Sequence, residues 1–198
     1  MQFQPVQSRQ LPELRHFNIA SAFSARRIAV GGDGAGGNLA AVVALMARDR
    51  TGPSLIYQVL IYPSVGAVMS RSRYLSNDPV VTPDARVADL GAYVPLLGNP
   101  EDPYISPIYA KSLKELPPAL LITDQDDPTW DEGEAYANRL RRAHVPTTVS
   151  QYPEMIHGFF SMVGALDAGE KCINEVGAAL ADAFKGEPNS SPVPHVPK

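Results

Sequence analysis

Apolar positions along the chain follow two periods. Three short, nearly continuous apolar runs, Ile28 to Val30, Leu55 to Tyr62 and Ala119 to Thr123, end at a glycine turn, a proline and an acidic loop. A fourth run, Thr147 to Tyr152, alternates and is β-branched at its start. Runs of this length and make-up predict strands, and the unbroken apolar character of 55 to 62 predicts one buried on both faces, hence interior and parallel. Between them the period lengthens to that of a helix. From Gly37 the residues Leu39, Val42, Val43 and Met46 share one side, and Ala40, Ala41, Ala44 and Ala47 permit close packing on a sheet. Pro83 opens a helix of about 14 residues with Val87, Leu90, Val94 and Leu97 on its stripe. Residues 131 to 143 turn Tyr136, Ala137 and Leu140 inward, and His144 stands where such a helix often ends in glycine. A final helix carries Cys172, Ile173, Val176, Ala179, Leu180 and Phe184.

Strands alternating with helices predict an α/β fold: a small, mostly parallel sheet with helices on both faces. The domain spans residues 26 to 185. Residues 1 to 25 read as an arm with a short, weak helix, and 186 to 198 as a flexible, proline-rich tail. Residues 98 to 118 form a long proline-studded connection, the kind of excursion that contributes to a ligand pocket. With four strands, the first and fourth are open edges. The first needs cover from the arm, from a partner, or from the matching edge of a homodimer.

Composition narrows the function classes. A formal net charge of -4 over 198 residues gives no electrostatic case for nucleic acid or an anionic membrane. No apolar stretch is long enough to span a bilayer, and the first residues carry no signal-peptide core, which favours the cytoplasm. The single cysteine, Cys172, excludes an intramolecular disulfide and sits in an apolar helical pattern that points to packing. The four histidines lack zinc spacing, and Asp124, Asp126 and Asp127 are too closely clustered to make a metal site alone. No cofactor or metal is expected.

The chemistry concentrates at residues 27 to 47, where a strand enters a dense glycine turn and leaves as a helix. Gly32, Gly34 and Gly37 fit G-x-G-x-x-G, a dinucleotide fingerprint. Against that reading, Asp33 places a carboxylate inside the turn. The second strand also ends in Pro63 and Ser64 rather than an acid that would hold a ribose. The competing reading is a nucleophile elbow with glycine in place of serine.

Gly32-Asp33-Gly34-Ala35-Gly36-Gly37-Asn38-Leu39-Ala40 resembles the nucleophile segment of the hormone-sensitive-lipase-like α/β-hydrolases, the bacterial esterase and lipase group. The resemblance continues through YISPIYA at 104 to 110, LPPALLI at 116 to 122, DPTWDEGEAYANRLRRA at 127 to 143 and MIHGFFSM at 155 to 162, covering roughly residues 26 to 184. It implies serine at position 34, Asp127 as triad acid, His157 as triad base and the Ala35 N–H as an oxyanion donor. Asp131 and Glu132 match the family's acidic pair at the helix opening. The order of nucleophile site, acid and histidine is that of an α/β-hydrolase, and a parallel sheet brings the ends of these strands to one edge.

Two departures bear on activity. Gly34 has no side-chain nucleophile, so an acyl-enzyme cannot form there. No H-G-G loop, the family's further source of oxyanion N–H donors, occurs in the 198 residues. The expectation is therefore a truncated α/β-hydrolase, inactive or severely impaired, in a lineage that the resemblance implies hydrolyses small or medium acyl esters. The alternative is a non-catalytic ligand-binding or interaction protein. Ser64 is the nearest hydroxyl for a replacement nucleophile, although it reads more simply as a turn residue. Tyr104, Tyr109, Phe159 and Phe160 fit either an acyl pocket or core, and Trp130 departs from the family's usual residues before Asp131.

Overall fold

The computed structural model describes residues 27–66, 78–94 and 98–185. The arm and tail expected at 1 to 25 and 186 to 198, and Leu97, lie outside the described residues. Four strands, β1 (Ile28–Asp33), β2 (Leu55–Ile61), β3 (Ala119–Thr123) and β4 (Thr147–Gln151), form one sheet in the order β1-β2-β3-β4 with every pair parallel. The helices are α1 (Ala35–Asp49), α2 (Pro83–Tyr93), α3 (Trp130–Arg142) and α4 (Asp167–Lys185).

Strand order equals chain order. With crossovers of one hand, such a sheet receives its connecting helices on one face. Ala40, Ala41, Ala44 and Leu45 of α1 and Tyr136, Ala137 and Leu140 of α3 pack there with Leu60 and Leu121. The alternate strand positions Val59, Ile61, Leu120 and Ile122 point the other way. On that side they meet Phe159 and Cys172, with Val176 and Leu180 of α4 packed against them. Helices thus cover both faces, as the sequence predicts.

Three details differ from the sequence expectation. β1 runs three residues further, through Gly31 and Gly32 to Asp33, because these pair with Val59, Leu60 and Ile61. α1 buries its small face, leaving Leu39 and Val43 exposed, since alanines let a helix lie closer to a sheet than leucines would. α2 stops at Tyr93 and turns Val87 outward, while Arg86, one position earlier, is buried. Its start agrees: Thr82 caps the helix by accepting from the Ala85 N–H at 3.2 Å.

Candidate active site

All four strands are parallel, so their C-terminal ends share one edge, and each feeds a loop into the site. At the end of β1, Gly34 adopts φ 53°, ψ -116°, a combination that strains any residue with a side chain. The turn is pinned on both sides. The Gly34 N–H donates to Ile61 O at 3.0 Å, and its carbonyl accepts from Asn38 N–H at 3.2 Å and Ser64 N–H at 3.3 Å. Strand and helix approach so closely that a Cβ on Gly32 would stand 2.4 Å from the carbonyl group of Gly36. Ala35 opens α1, so its N–H belongs to the first turn, where donors have no acceptor within the helix.

Asp127 follows β3 and is wholly buried. Its Oδ1 accepts from the Thr129 N–H at 2.6 Å and lies 2.7 Å from the Thr129 hydroxyl. Its Oδ2 is 2.5 Å from Nδ1 of His157, which follows β4. Facing a carboxylate, Nδ1 carries the proton and Nε2 is left as the acceptor. Asp78 fixes the histidine from behind. Its Oδ2 accepts the His157 backbone N–H at 2.6 Å, and its Oδ1 accepts from Val80 and Val81 at 2.7 and 2.9 Å. The Tyr62 ring lies against the imidazole, centroids 4.6 Å apart. Burial and the nearby Asp33 carboxylate push the Tyr62 phenol well above its ordinary range, so it stays a neutral wall.

The free nitrogen points at the elbow. A Cβ built on Gly34 would lie 2.9 Å from His157 Nε2 and 3.4 Å from Cε1. The imidazole therefore stands where the first side-chain atoms of residue 34 would be, and no serine hydroxyl completes the pair there.

Beside the turn is a cavity of about 500 Å³, lined among the described residues by Ala35, Asn38, Leu39, Ser64, Arg86, Tyr93 and Ile105 with their neighbours. Asn38 ties it together, donating to Ser64 O at 2.6 Å and Ile105 O at 2.9 Å and accepting from the Tyr93 hydroxyl at 3.2 Å. The Ser64 hydroxyl accepts from the Arg86 guanidinium, which suits a wall residue better than a replacement nucleophile.

The aromatic residues that fit either an acyl pocket or core are not among those lining this cavity. Tyr104 hydrogen-bonds Asp49 at 3.2 Å under the Arg50 guanidinium, at the far end of α1. Tyr109 is exposed on a 3₁₀ turn, Pro107–Tyr109. Phe159 is wholly buried in the core beneath α4, Phe160 borders a groove between β1 and α4, and Trp130 begins α3, half-buried. Glu132, the buried member of the acidic pair, accepts from Gly66 N–H at 3.0 Å. Among the described residues no group of three or more histidine, cysteine or acidic side chains could hold a metal.

Sequence reasoning missed Thr129 and Asp78. Each had a local signal: D-P-T is a turn in which an acid accepts from the residue two positions on, and N-D-P starts turns.

Parallel strands that deliver an elbow, a buried acid and a histidine to one edge define an α/β-hydrolase. The chain belongs to that family: residues 8–161 match the family described as "alpha/beta hydrolase fold". Esterases are among the proteins it is similar to. It is 37% identical over 163 residues to Carboxylesterase NlhH of Mycobacterium tuberculosis, covering 80% of this chain and 51% of that protein. It is also similar to a Pyrobaculum calidifontis esterase (TM-score 0.72, 40% identity, 80% of this chain and 53% of that one). Esterase LipW from Mycobacterium marinum superimposes with a TM-score of 0.80 at 32% identity, over 85% of this chain and 53% of that one. The chain thus spans about half the length of the relatives it matches. Among the described residues no helix is long and apolar enough to cross a membrane.

Proposed function

We propose that the chain carries the acid–base half of a carboxylic-ester hydrolase of the hormone-sensitive-lipase-like group, with the acyl-enzyme route closed at Gly34. Asp127 is the triad acid, His157 the base, Gly34 the vacant nucleophile position and Ala35 an oxyanion donor. The observation that carries this reading is the 2.9 Å between His157 Nε2 and a Cβ on residue 34. In an intact site, the base would take the serine proton as oxygen attacks the ester carbonyl, and Ala35 N–H would receive the developing oxyanion. Here the ester would meet a base with no hydroxyl to activate. The ligand class that fits is a small or medium acyl ester, since the wall of the neighbouring cavity is largely apolar.

Hydrolysis of a short-chain p-nitrophenyl ester tests the reading. The chain should match its His157→Ala variant and take no label from a fluorophosphonate. Turnover clearly above that control would sink it. Gly34→Ser separates two causes of inactivity. Labelling of that variant would make the glycine the sole block, whereas a folded, unlabelled variant would show that the oxyanion side is deficient too.

A second reading, an interaction protein, is favoured by one feature. Between β1 and α4 lies a groove of about 390 Å³ lined by Val30, Val59, Ile61, Phe160, Leu180 and Phe184 with their neighbours. A homodimer or another chain seated against the β1 edge would cover it. A concentration-independent monomer by light scattering would argue against the homodimer.

A further inference from the structure

The β3–α3 loop holds two buried carboxyl groups, not one. Asp124, three residues before Asp127, is wholly buried, and neither of its side-chain oxygens has a hydrogen-bond partner among the described residues. An orphaned buried carboxylate is among the most costly groups a fold can carry. The groups around it make ionisation worse. The Asp127 carboxylate is its strongest electrostatic neighbour, and Asp78 on the segment before α2 adds a second negative charge. The phenol of Tyr62, at the end of β2, is neutral and supplies no compensation. His157 after β4, the base of this site, is already engaged by Asp127.

Two neighbouring buried carboxyl groups resist ionising together, and the donors decide which one carries the charge. Asp127 faces three donors: the Thr129 N–H, the Thr129 hydroxyl and Nδ1 of His157. Asp124 has none at full hydrogen-bond geometry among the described residues; the Asp127 N–H favours its charge, the Asp127 side chain favours its proton, and burial with the Asp127 charge outweighs the N–H.

We propose that Asp124 is a positioning residue of the Asp127–His157 pair. It is a buried carboxylic acid that keeps its proton, so that Asp127 is the loop's single buried carboxylate and stays locked on Nδ1 of His157. A second charge at 124 would push Asp127 off the imidazole. The proton would point at the Asp127 carboxylate, making Asp124 a fourth donor to the same anion. The acid–histidine pair exists whether or not position 34 carries a nucleophile, so this inference rests on the proposed function for its purpose but not for its chemistry.

The sign of the pH dependence follows. The Asp124 carboxyl is pushed up from 3.8 to about 9, by burial first and Asp127 second. Between those values the unfolded chain releases this proton and the folded chain keeps it. The residue therefore withdraws stability as pH rises from about 4 to about 9.

The test uses the full chain, with carboxyl-¹³C aspartate for infrared spectroscopy. At neutral pH one carboxylic-acid carbonyl band should persist, vanish above about pH 9, and be missing in Asp124→Asn. The gain in urea midpoint of Asp124→Asn over the parent should be absent at pH 4 and grow toward pH 9. The downfield Nδ1 proton of His157 should survive Asp124→Asn, which can still donate, and shift or exchange away in Asp124→Val. Absence of the acid band from the parent at pH 7, or a stability difference independent of pH, overturns the protonation. An Nδ1 proton unmoved by Asp124→Val overturns the positioning role. The infrared readings on the parent need no variant to fold. None of the readings requires ester turnover, so an error about the function would leave them intact.

Discussion

His157 Nε2 sits 2.9 Å from the point where a Cβ on Gly34 would stand. Real Cβ atoms do not come so near a ring nitrogen, so any side chain at 34 must displace the imidazole by some tenths of an ångström. That ring is held by Asp127 at Nδ1 and by Asp78 at its backbone N–H, which limits how far it can retreat.

Gly34→Ser should therefore cost stability even where it supplies a hydroxyl. A non-glycine residue in this backbone conformation costs about 1–3 kcal/mol, and displacement of the imidazole adds to it. Urea denaturation should show a lower midpoint with an unchanged slope. A variant as stable as the parent would mean that the turn relaxes freely.

Gly32→Ala should be more damaging, because its methyl would meet the Gly36 carbonyl group at 2.4 Å, and backbone cannot rotate aside as a side chain can. A loss of several kcal/mol, or failure to fold, is expected. Thermal melting followed by circular dichroism checks it.

Cys172 should be inert in the folded protein. It is wholly buried on the sheet-facing side of α4, and burial followed by the Glu175 carboxylate pushes its thiol up to about 12. Reaction with a disulfide reagent at pH 8 should be slow in buffer and prompt in denaturant. Prompt labelling in buffer would mean that α4 opens readily.

Tyr136→Phe should be neutral or stabilising, by up to about 1 kcal/mol. Tyr136 is completely buried in α3, and its hydroxyl has no partner among the described residues, so deleting the oxygen removes a desolvated group and leaves the ring packing in place. A clear loss in urea midpoint would reveal a partner for that oxygen.

Much of the fold is legible in the sequence because it is local. β3 has its predicted bounds, and His144 takes φ 62° where the sequence marks a glycine-like position. The face of a helix is less legible. Leu39 and Val87 carry the hydrophobicity, yet Ala40, Ala41 and Arg86 are buried, because the depth of approach to the sheet and the demand for a cavity wall outrank transfer energy. The juxtaposition of Gly34, Asp127 and His157 follows from parallel strands ending at one edge. The bond from Asp78 to the His157 backbone spans 79 positions and depends on a loop whose path no periodicity encodes.

The same Asp78 carboxylate makes a lever of the site. One oxygen grips the main chain of His157, and the other grips Val80 and Val81 just ahead of α2, whose Arg86 and Tyr93 wall the cavity. The main chain of the histidine and the segment leading into one wall of the cavity therefore share a single anchor. Loss of the Asp78 carboxylate would release both at once, so a residue that lines neither the turn nor the cavity is the common support of the two.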